Sequence, residues 1–90
     1  MNKAIITVVG QDTVGIIARV CTYLSNHHVN VLDISQTIID GFFNMMMIVD
    51  YSNADKEFSA MLGILEALGD VIGVRIRCLR EAIFTKMHRI

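Results

Sequence analysis

The spacing of apolar residues changes several times along the chain, and each change marks a predicted element. Residues 3–9 (KAIITVV) form a β-branched run of strand length that Gly10 stops. From Val14 onward, apolar residues recur at spacings of three and four, which is typical of an amphipathic helix reaching to about residue 26. A side-chain oxygen of Asp12 or Thr13 can cap this helix by accepting from the free N–H groups of its first turn.

The next stretch predicts a β-hairpin. Residues 29–39 alternate with period two, so that Leu32, Ile34 and Ile38 share one face. Asp40-Gly41 joins this strand to a second strand over residues 42–51. Asp-Gly between two strand-like runs favours a type I′ turn, because both central residues of that turn need positive φ.

A second helix and a last strand complete the pattern. Ser52-Asn53 offers a cap, and Gly69 is a natural left-handed stop. The apolar stripe of this helix comprises Phe58, Met61, Leu62, Leu65 and Leu68. Residues 71–79 alternate again and predict a strand. In the tail, residues 81–90, apolar residues recur at helical spacing, so we expect a short amphipathic helix after a domain spanning residues 1–80.

The element order β-α-β-β-α-β predicts a ferredoxin-like α+β sandwich. Two right-handed βαβ crossovers interleave into a four-stranded antiparallel sheet of order 4-1-3-2, with both helices on one face. The third strand, FFNMMMIV at residues 42–49, is apolar on both sides. Strands of that kind are usually buried on both faces. We therefore expect a partner to cover the face without helices, and the simplest partner is a second copy.

Composition supports self-association and argues against two other classes. Apolar residues make up 53% of the 90 positions, more than one small core can hide. No run approaches the roughly 20 uncharged apolar residues of a membrane span. A net charge of −1 argues against nucleic-acid binding. Residues 29–70 carry an acidic excess and residues 71–90 a basic one; these halves can attract each other between subunits or simply form solvated surface.

The cysteines and histidines favour a cytoplasmic protein without a metal. Lys3 leads directly into strand-like sequence without a secretory cleavage site. Cys21 and Cys78 lie within apolar periodic segments and are interpreted as buried thiols rather than a disulfide. Adjacent residues direct their rings differently, so His27 and His28 are interpreted as surface histidines. We expect no metal and no other cofactor.

The corner between the first strand and the first helix is the strongest candidate site. A helix N-terminus presents unpaired N–H groups and a partial positive charge. Gly15 in the first turn removes a side chain, so a carboxylate could reach these groups, and Asp12 could accept from an ammonium group. An amino acid would satisfy both. Gly10 and Gly15 also fit a plain tight corner with close helix–sheet packing, and spacing alone does not decide.

An acylphosphatase-like hydrolase is the enzymatic alternative, since acylphosphatases share this topology and a glycine-bearing loop at the same corner. Their catalysis needs a guanidinium directed into the loop. Arg19 lies a full turn beyond Gly15, and Asn44 alone is a weak candidate for positioning water. No Ser-His-Asp or Cys-His set is recognisable in the sequence. We therefore expect no catalysis.

Residues 4–79 resemble ACT domains, the small-molecule regulatory modules of amino-acid metabolism. The resemblance is carried by the D-x-x-G-[IL] corner at residues 12–16 (DTVGI), by VNV at residues 29–31, and by FNM at residues 43–45. The ending AIFTKMHRI is further similar to short, stand-alone bacterial ACT proteins. Those proteins are similar to the ACT segments of the glycine cleavage repressor and of formyltetrahydrofolate deformylase.

The resemblance implies a homodimer or higher homo-oligomer that binds an amino-acid effector between subunits and regulates a metabolic enzyme or regulator. The implied ligand-binding residues are Asp12, Val14, Gly15 and Ile16 at the corner, with Asn30, Val31 and Leu32 facing them from the neighbouring subunit. Val14 stands where the family often has proline, so the loop lacks a fixed φ. Many ACT domains serve only in assembly. Docking onto a protein partner with its own ACT-like domain is a further alternative.

Overall fold

A computed structural model describes the protein over residues 2–11 and 14–80. Its elements are β1 (Lys3–Gln11), α1 (Ile16–Asn26), β2 (Asn30–Ile39), β3 (Phe42–Asp50), α2 (Phe58–Ile72) and β4 (Val74–Arg80). The strands form one sheet of order β2-β3-β1-β4, and every pairing is antiparallel. This order is the predicted 4-1-3-2 counted from the other edge, so the ferredoxin-like fold is confirmed. The expected tail helix over 81–90 lies outside the described residues.

The core lies between the two helices and one face of the sheet. Alternate residues of the three strands β1, β3 and β4 are buried on this face, because side chains point to opposite faces with period two. The helices contribute Ile16, Val20, Leu24, Met61 and Leu65 to the same cluster. No polar or charged side chain is buried among the described residues. Neither described helix has the length and apolar content needed to cross a bilayer.

The other face of the sheet, called the open face below, carries no helix in the described part of the chain. Its alternate positions are Ile5, Thr7 and Val9 on β1, Asn44, Met46 and Ile48 on β3, Arg75, Arg77 and Leu79 on β4, and Asp33, Ser35 and Thr37 on β2. Val9 is 45% exposed, Met46 44% and Leu79 40%. The expectation of a partly apolar face is therefore confirmed.

The predicted hairpin is also confirmed. Asp40 has φ 55° and Gly41 has φ 82°, as a type I′ turn requires. Ile39 lies directly opposite Phe42 across the turn.

Gly69 does not end the second helix, contrary to the prediction. A Cβ built on Gly69 would lie 2.7 Å from the carbonyl oxygen of Val74 and 3.1 Å from Cγ1 of Ile76. Glycine is therefore needed there for close packing of α2 against β4. The left-handed stop is Gly73, with φ 91°, so residues 71 and 72 belong to the helix rather than to the last strand.

Other predicted boundaries need correction for similar reasons. β1 continues through Gly10, where a Cβ would lie 2.8 Å from Cγ1 of Val74, so this glycine permits close packing instead of stopping the strand. α2 begins after Glu57 without a side-chain cap, and the predicted cap at Ser52-Asn53 is wrong.

A β-bulge interrupts β2. The pairing with β3 shifts between Val31 and Asp33, which makes Leu32 an extra residue on the β2 side. Beyond the bulge, Ile34 and Ile38 lie opposite the buried Met47 and Phe43. The prediction that Leu32 continues the alternation of Ile34 and Ile38 is therefore wrong.

Both cysteines are free thiols, as predicted. Cys78 is buried and Cys21 is half-buried. Burial raises the pKa of Cys78 to about 11, because a thiolate is poorly solvated in apolar surroundings.

Candidate functional site

Gly15 defines the corner between β1 and α1. It is the N-cap residue, with left-handed φ 88° and ψ 5°, and α1 begins at the next residue. Glycine adopts this conformation at little cost because it has no Cβ. No side-chain hydrogen bond from the described residues caps the helix. The first-turn N–H groups of α1 also have no intrahelical acceptor.

The space above Gly15 is open. Apart from its two chain neighbours, no atom of the described residues lies within 4 Å of a Cβ built on Gly15, and Val14 is fully exposed at 100%. α1 begins at Ile16, so Val14 precedes the helix. The prediction that Val14 begins the apolar stripe of this helix is therefore wrong. Ile16 is only 2% exposed and its side chain packs in the core. Of the predicted corner residues, Val14 and Gly15 are exposed at the surface. Ile16 can contact a ligand only through its backbone, and Asp12 lies outside the described residues.

The predicted residues on β2 lie at the other end of the sheet. Asn30 is opposite Asp50, which is opposite Lys3 at the start of β1. Gln11, next to the corner, is instead opposite Phe42 at the hairpin. At about 3.3 Å per residue, the length of a strand separates the two groups by roughly 25 Å. One chain alone therefore does not bring the predicted site residues together.

A polar contact that the sequence did not indicate joins the end of α1 to the segment before α2. Nδ1 of His27 lies 3.0 Å from Oδ1 and 3.1 Å from Oδ2 of Asp55. The Asp55 N–H donates to the His27 carbonyl oxygen at 3.3 Å. The hydrogen bond with His27 lowers the pKa of Asp55. Because the two residues are far apart in sequence, no local spacing could have indicated this pair.

The features proposed for a hydrolase lie on opposite sides of the sheet. Arg19 is exposed on α1, which packs on the core face. Asn44 alternates with the buried Phe43 and Met45, so its side chain belongs to the open face. Over the described ranges, no group of three His, Cys, Asp or Glu side chains could hold a metal ion. The described geometry therefore offers no support for the hydrolase alternative.

The fold and the glycine-capped corner define an ACT-type module, and the comparison with known sequences agrees. The ACT domain profile matches residues 2–78, and the chain belongs to the ACT domain family. A UPF0237 protein of Bifidobacterium longum is 87% identical over 90 residues, which are 100% of both chains. The resemblance to short, stand-alone ACT proteins is thereby confirmed.

Solved structures confirm the same fold. An ACT domain protein from Streptococcus pneumoniae is 41% identical, with a TM-score of 0.82 over 92% of this chain and 93% of the other. A formyltetrahydrofolate deformylase from Pseudomonas syringae gives a TM-score of 0.83 at 18% identity, over 91% of this chain and 28% of that one. A chain assigned as a glycine cleavage system transcriptional repressor gives 0.75 at 22% identity, over 88% and 45% respectively. At such identities the last two comparisons show the fold alone.

Proposed function

We propose that this chain is a non-catalytic regulatory module of the cytoplasm. It binds a small amino acid between two copies of itself and signals to a metabolic enzyme or regulator. The observation that carries this proposal is the left-handed Gly15 at the start of α1. The partial positive charge and unpaired N–H groups of a first helical turn suit a carboxylate, and no side chain at Gly15 stands in its way.

A homodimer paired through β2 would complete the site. The other half of the proposed site, Asn30 to Leu32, lies a strand length away from the corner in the same chain. If two β2 strands pair antiparallel along their full length, Asn30 of the partner subunit lies beside Ile39, at the end of the sheet that holds the corner. The side-chain oxygen of Asn30 of the partner subunit could then accept from the ammonium group of the ligand, as Asp12 is also proposed to do.

The outer edge of β2 has the properties of a pairing surface. It is ten residues long, and β3 is its one neighbour in the described sheet. Ile34, Ile38 and Ile39 are 44%, 57% and 65% exposed. Long apolar edge strands pair readily with other chains unless charge or proline prevents it. This edge therefore supports the homodimer that the proposed site needs.

Calorimetric titration with the common amino acids tests the site. We expect one or more to bind, and Gly15→Ala to weaken binding at least tenfold, because the methyl group would occupy open space that the carboxylate needs at the start of α1. Gly73→Ala is the matched control. Gly73 has φ 91° and equally open space, so both variants carry a similar backbone penalty of about 1 kcal/mol.

Two results would count against the proposal. If Gly15→Ala and Gly73→Ala bind equally well, the ligand does not use the corner. If the wild-type chain forms a dimer but binds no amino acid, the module serves in assembly alone, by self-association or by docking onto a partner with an ACT-like domain.

A further inference from the structure

We propose that the tail of the same chain, residues 81–90, covers the end of the open face at which β4 ends. In this arrangement the tail forms a short helix that crosses the strands and lays its apolar side, Ile83, Met87 and Ile90, on the sheet. The contact is made within one chain, and it depends neither on the β2 edge nor on the amino-acid site.

One row of the open face is apolar across three neighbouring strands, and it is called the apolar row below. In this row Ile5 on β1 lies opposite both Ile48 on β3 and Leu79 on β4. The row ends on β2 with Asp33, which lies opposite Ile48. The two other rows mix apolar and polar residues, namely Ser35, Met46, Thr7 and Arg77 in one and Thr37, Asn44, Val9 and Arg75 in the next. The apolar side of a helix therefore fits the apolar row best.

Burial on the open face is greatest at the centre of the apolar row. Ile5 is only 6% exposed, although it does not belong to the core cluster between the sheet and the helices. Ile48 beside it is half-buried. Val9 and Met46 in the two other rows are 45% and 44% exposed, and Leu79 at the sheet edge is 40% exposed. A cover that lies along the apolar row accounts for this uneven burial.

The chain leaves the sheet beside the apolar row. Leu79 belongs to this row, and Arg80 ends β4 at the next position. The helix side of the sheet is already occupied there, because the guanidinium carbon of Arg80 lies 4.7 Å from the centre of the Phe58 ring at the start of α2. Two central residues are enough to reverse a chain in a β-turn, so residues 81 and 82 can turn the tail onto the open face.

The length of the tail matches the width of the apolar row. Strands about 4.8 Å apart place Leu79 and Ile48 roughly 10 Å from each other across β1. In a helix that rises about 1.5 Å per residue, Ile83 and Ile90 are also roughly 10 Å apart, and Met87 lies between them on the same side. An isolated helix of this length is marginal in water. The tail therefore needs an apolar surface against which to fold, and the apolar row provides one of the right width.

The charges at the two sides of the sheet agree with the direction that the connection imposes on the tail. A helix that begins beside β4 ends over β2, where Asp33 closes the apolar row. Lys86 and Arg89 lie in the second half of the tail, so its basic end meets this carboxylate. The β4 side instead carries Arg75 and Arg77 on the open face. Opposite charges facing each other favour a contact and like charges oppose it, so the charges favour this direction.

Substitutions in the full chain test the contact through urea unfolding. Met87→Lys places a charge on the apolar side of the tail, and His88→Lys places the same charge about 100° further round the helix. We expect Met87→Lys to raise the unfolding equilibrium constant at least tenfold and His88→Lys to change it less than twofold. Met87→Lys combined with Ile48→Ala should cost less than the sum of the two separate effects, because both remove the same contact. Its combination with Val9→Ala, two rows away, should be additive.

Nuclear Overhauser contacts between methyl groups locate the tail directly. We expect the methyl group of Met87 to contact the methyl groups of Ile5 and Ile48 and not those of Val9. A mixture of two differently labelled chains should show these contacts within one chain only. Contacts between different chains would mean that the tail covers a second copy, and contacts with Leu62 on α2 would place the tail on the helix side of the sheet. Either result would overturn the proposal, as would equal unfolding constants of Met87→Lys and His88→Lys.

Discussion

The two edges of the sheet are built in opposite ways. α2 packs along β4, and the close approach at Gly69 holds helix and strand together. β4 is seven residues long and alternates buried apolar residues with exposed ones, and three of its exposed residues are arginines. Charged residues on a short edge strand discourage pairing with another chain.

β2 lacks these protections. It is ten residues long, α1 touches it only lightly, and most of its residues are exposed. Its bulge at Leu32 is the one irregularity among the described pairings. The β4 edge of the sheet is therefore protected from pairing with another chain, whereas the β2 edge is able to pair. The proposed dimer forms at the β2 edge.

The largest expected effect tests the packing at the β4 side. Gly69→Ala should destabilise the chain by about 3 kcal/mol, since its Cβ would meet a backbone carbonyl that cannot move freely. Gly63 lies on the same helix, and outside the backbone of that helix no described atom comes within 4 Å of a Cβ built on it. Gly63→Ala should therefore stabilise the chain by about 0.5–1 kcal/mol. Urea unfolding measures both. Equal stabilities of the two variants would contradict the close approach.

A smaller effect tests the burial of β4 through its thiol. The pKa of Cys78 is raised from 9.0 to about 11 by burial, whereas the unfolded thiol ionises near its ordinary value. The buried neutral thiol therefore contributes its full stabilisation below pH 9. Between pH 9 and 11 this contribution to the free energy of unfolding declines by about 2 kcal/mol. Cys78→Ala should remove this part of the decline, and Cys21→Ala should retain it. Urea unfolding at pH 8, 9 and 10 compares the three chains.

The smallest effect concerns the contact between His27 at the end of α1 and Asp55. The hydrogen bond with His27 lowers the pKa of Asp55 below 3.8. The stabilisation is therefore present above about pH 4 and is lost as the pH falls through the lowered value. Asp55→Asn should lower the melting temperature slightly at pH 6 and leave it unchanged near pH 2. A difference that persists at acid pH would mean that the carboxylate charge is not responsible.

Much of the fold was predictable because local and global signals agree. Asp40-Gly41 is short, strongly biased towards positive φ, and flanked by two alternating runs. The end of α2 was not predictable, because two glycines occur near it and β-branched Val71 and Ile72 favour a strand. Whether Gly69 or Gly73 ends the helix depends on where β4 packs, and this information lies in the tertiary structure.

The candidate site was predictable only in part. Gly15 was recognised as the residue that opens the corner, although it precedes the helix instead of lying within it. Period two predicts that Leu32 shares a face with Ile34 and Ile38. The β-bulge that changes its position cannot be read from the alternation of the neighbouring residues. The pair of His27 and Asp55 depends on a loop returning to the end of α1, which no local pattern contains.

The central position of β1 has a consequence for synthesis on the ribosome. β1 is made first, yet one of its two neighbours is β4, and Ala4 pairs with Arg80. Until β4 emerges, one flank of the nascent sheet exposes the unpaired backbone of β1. Pairings between such distant segments form slowly, and unpaired strand edges favour misassembly. The interval before β4 emerges is therefore when the nascent chain is most open to capture by chaperones or by neighbouring nascent chains.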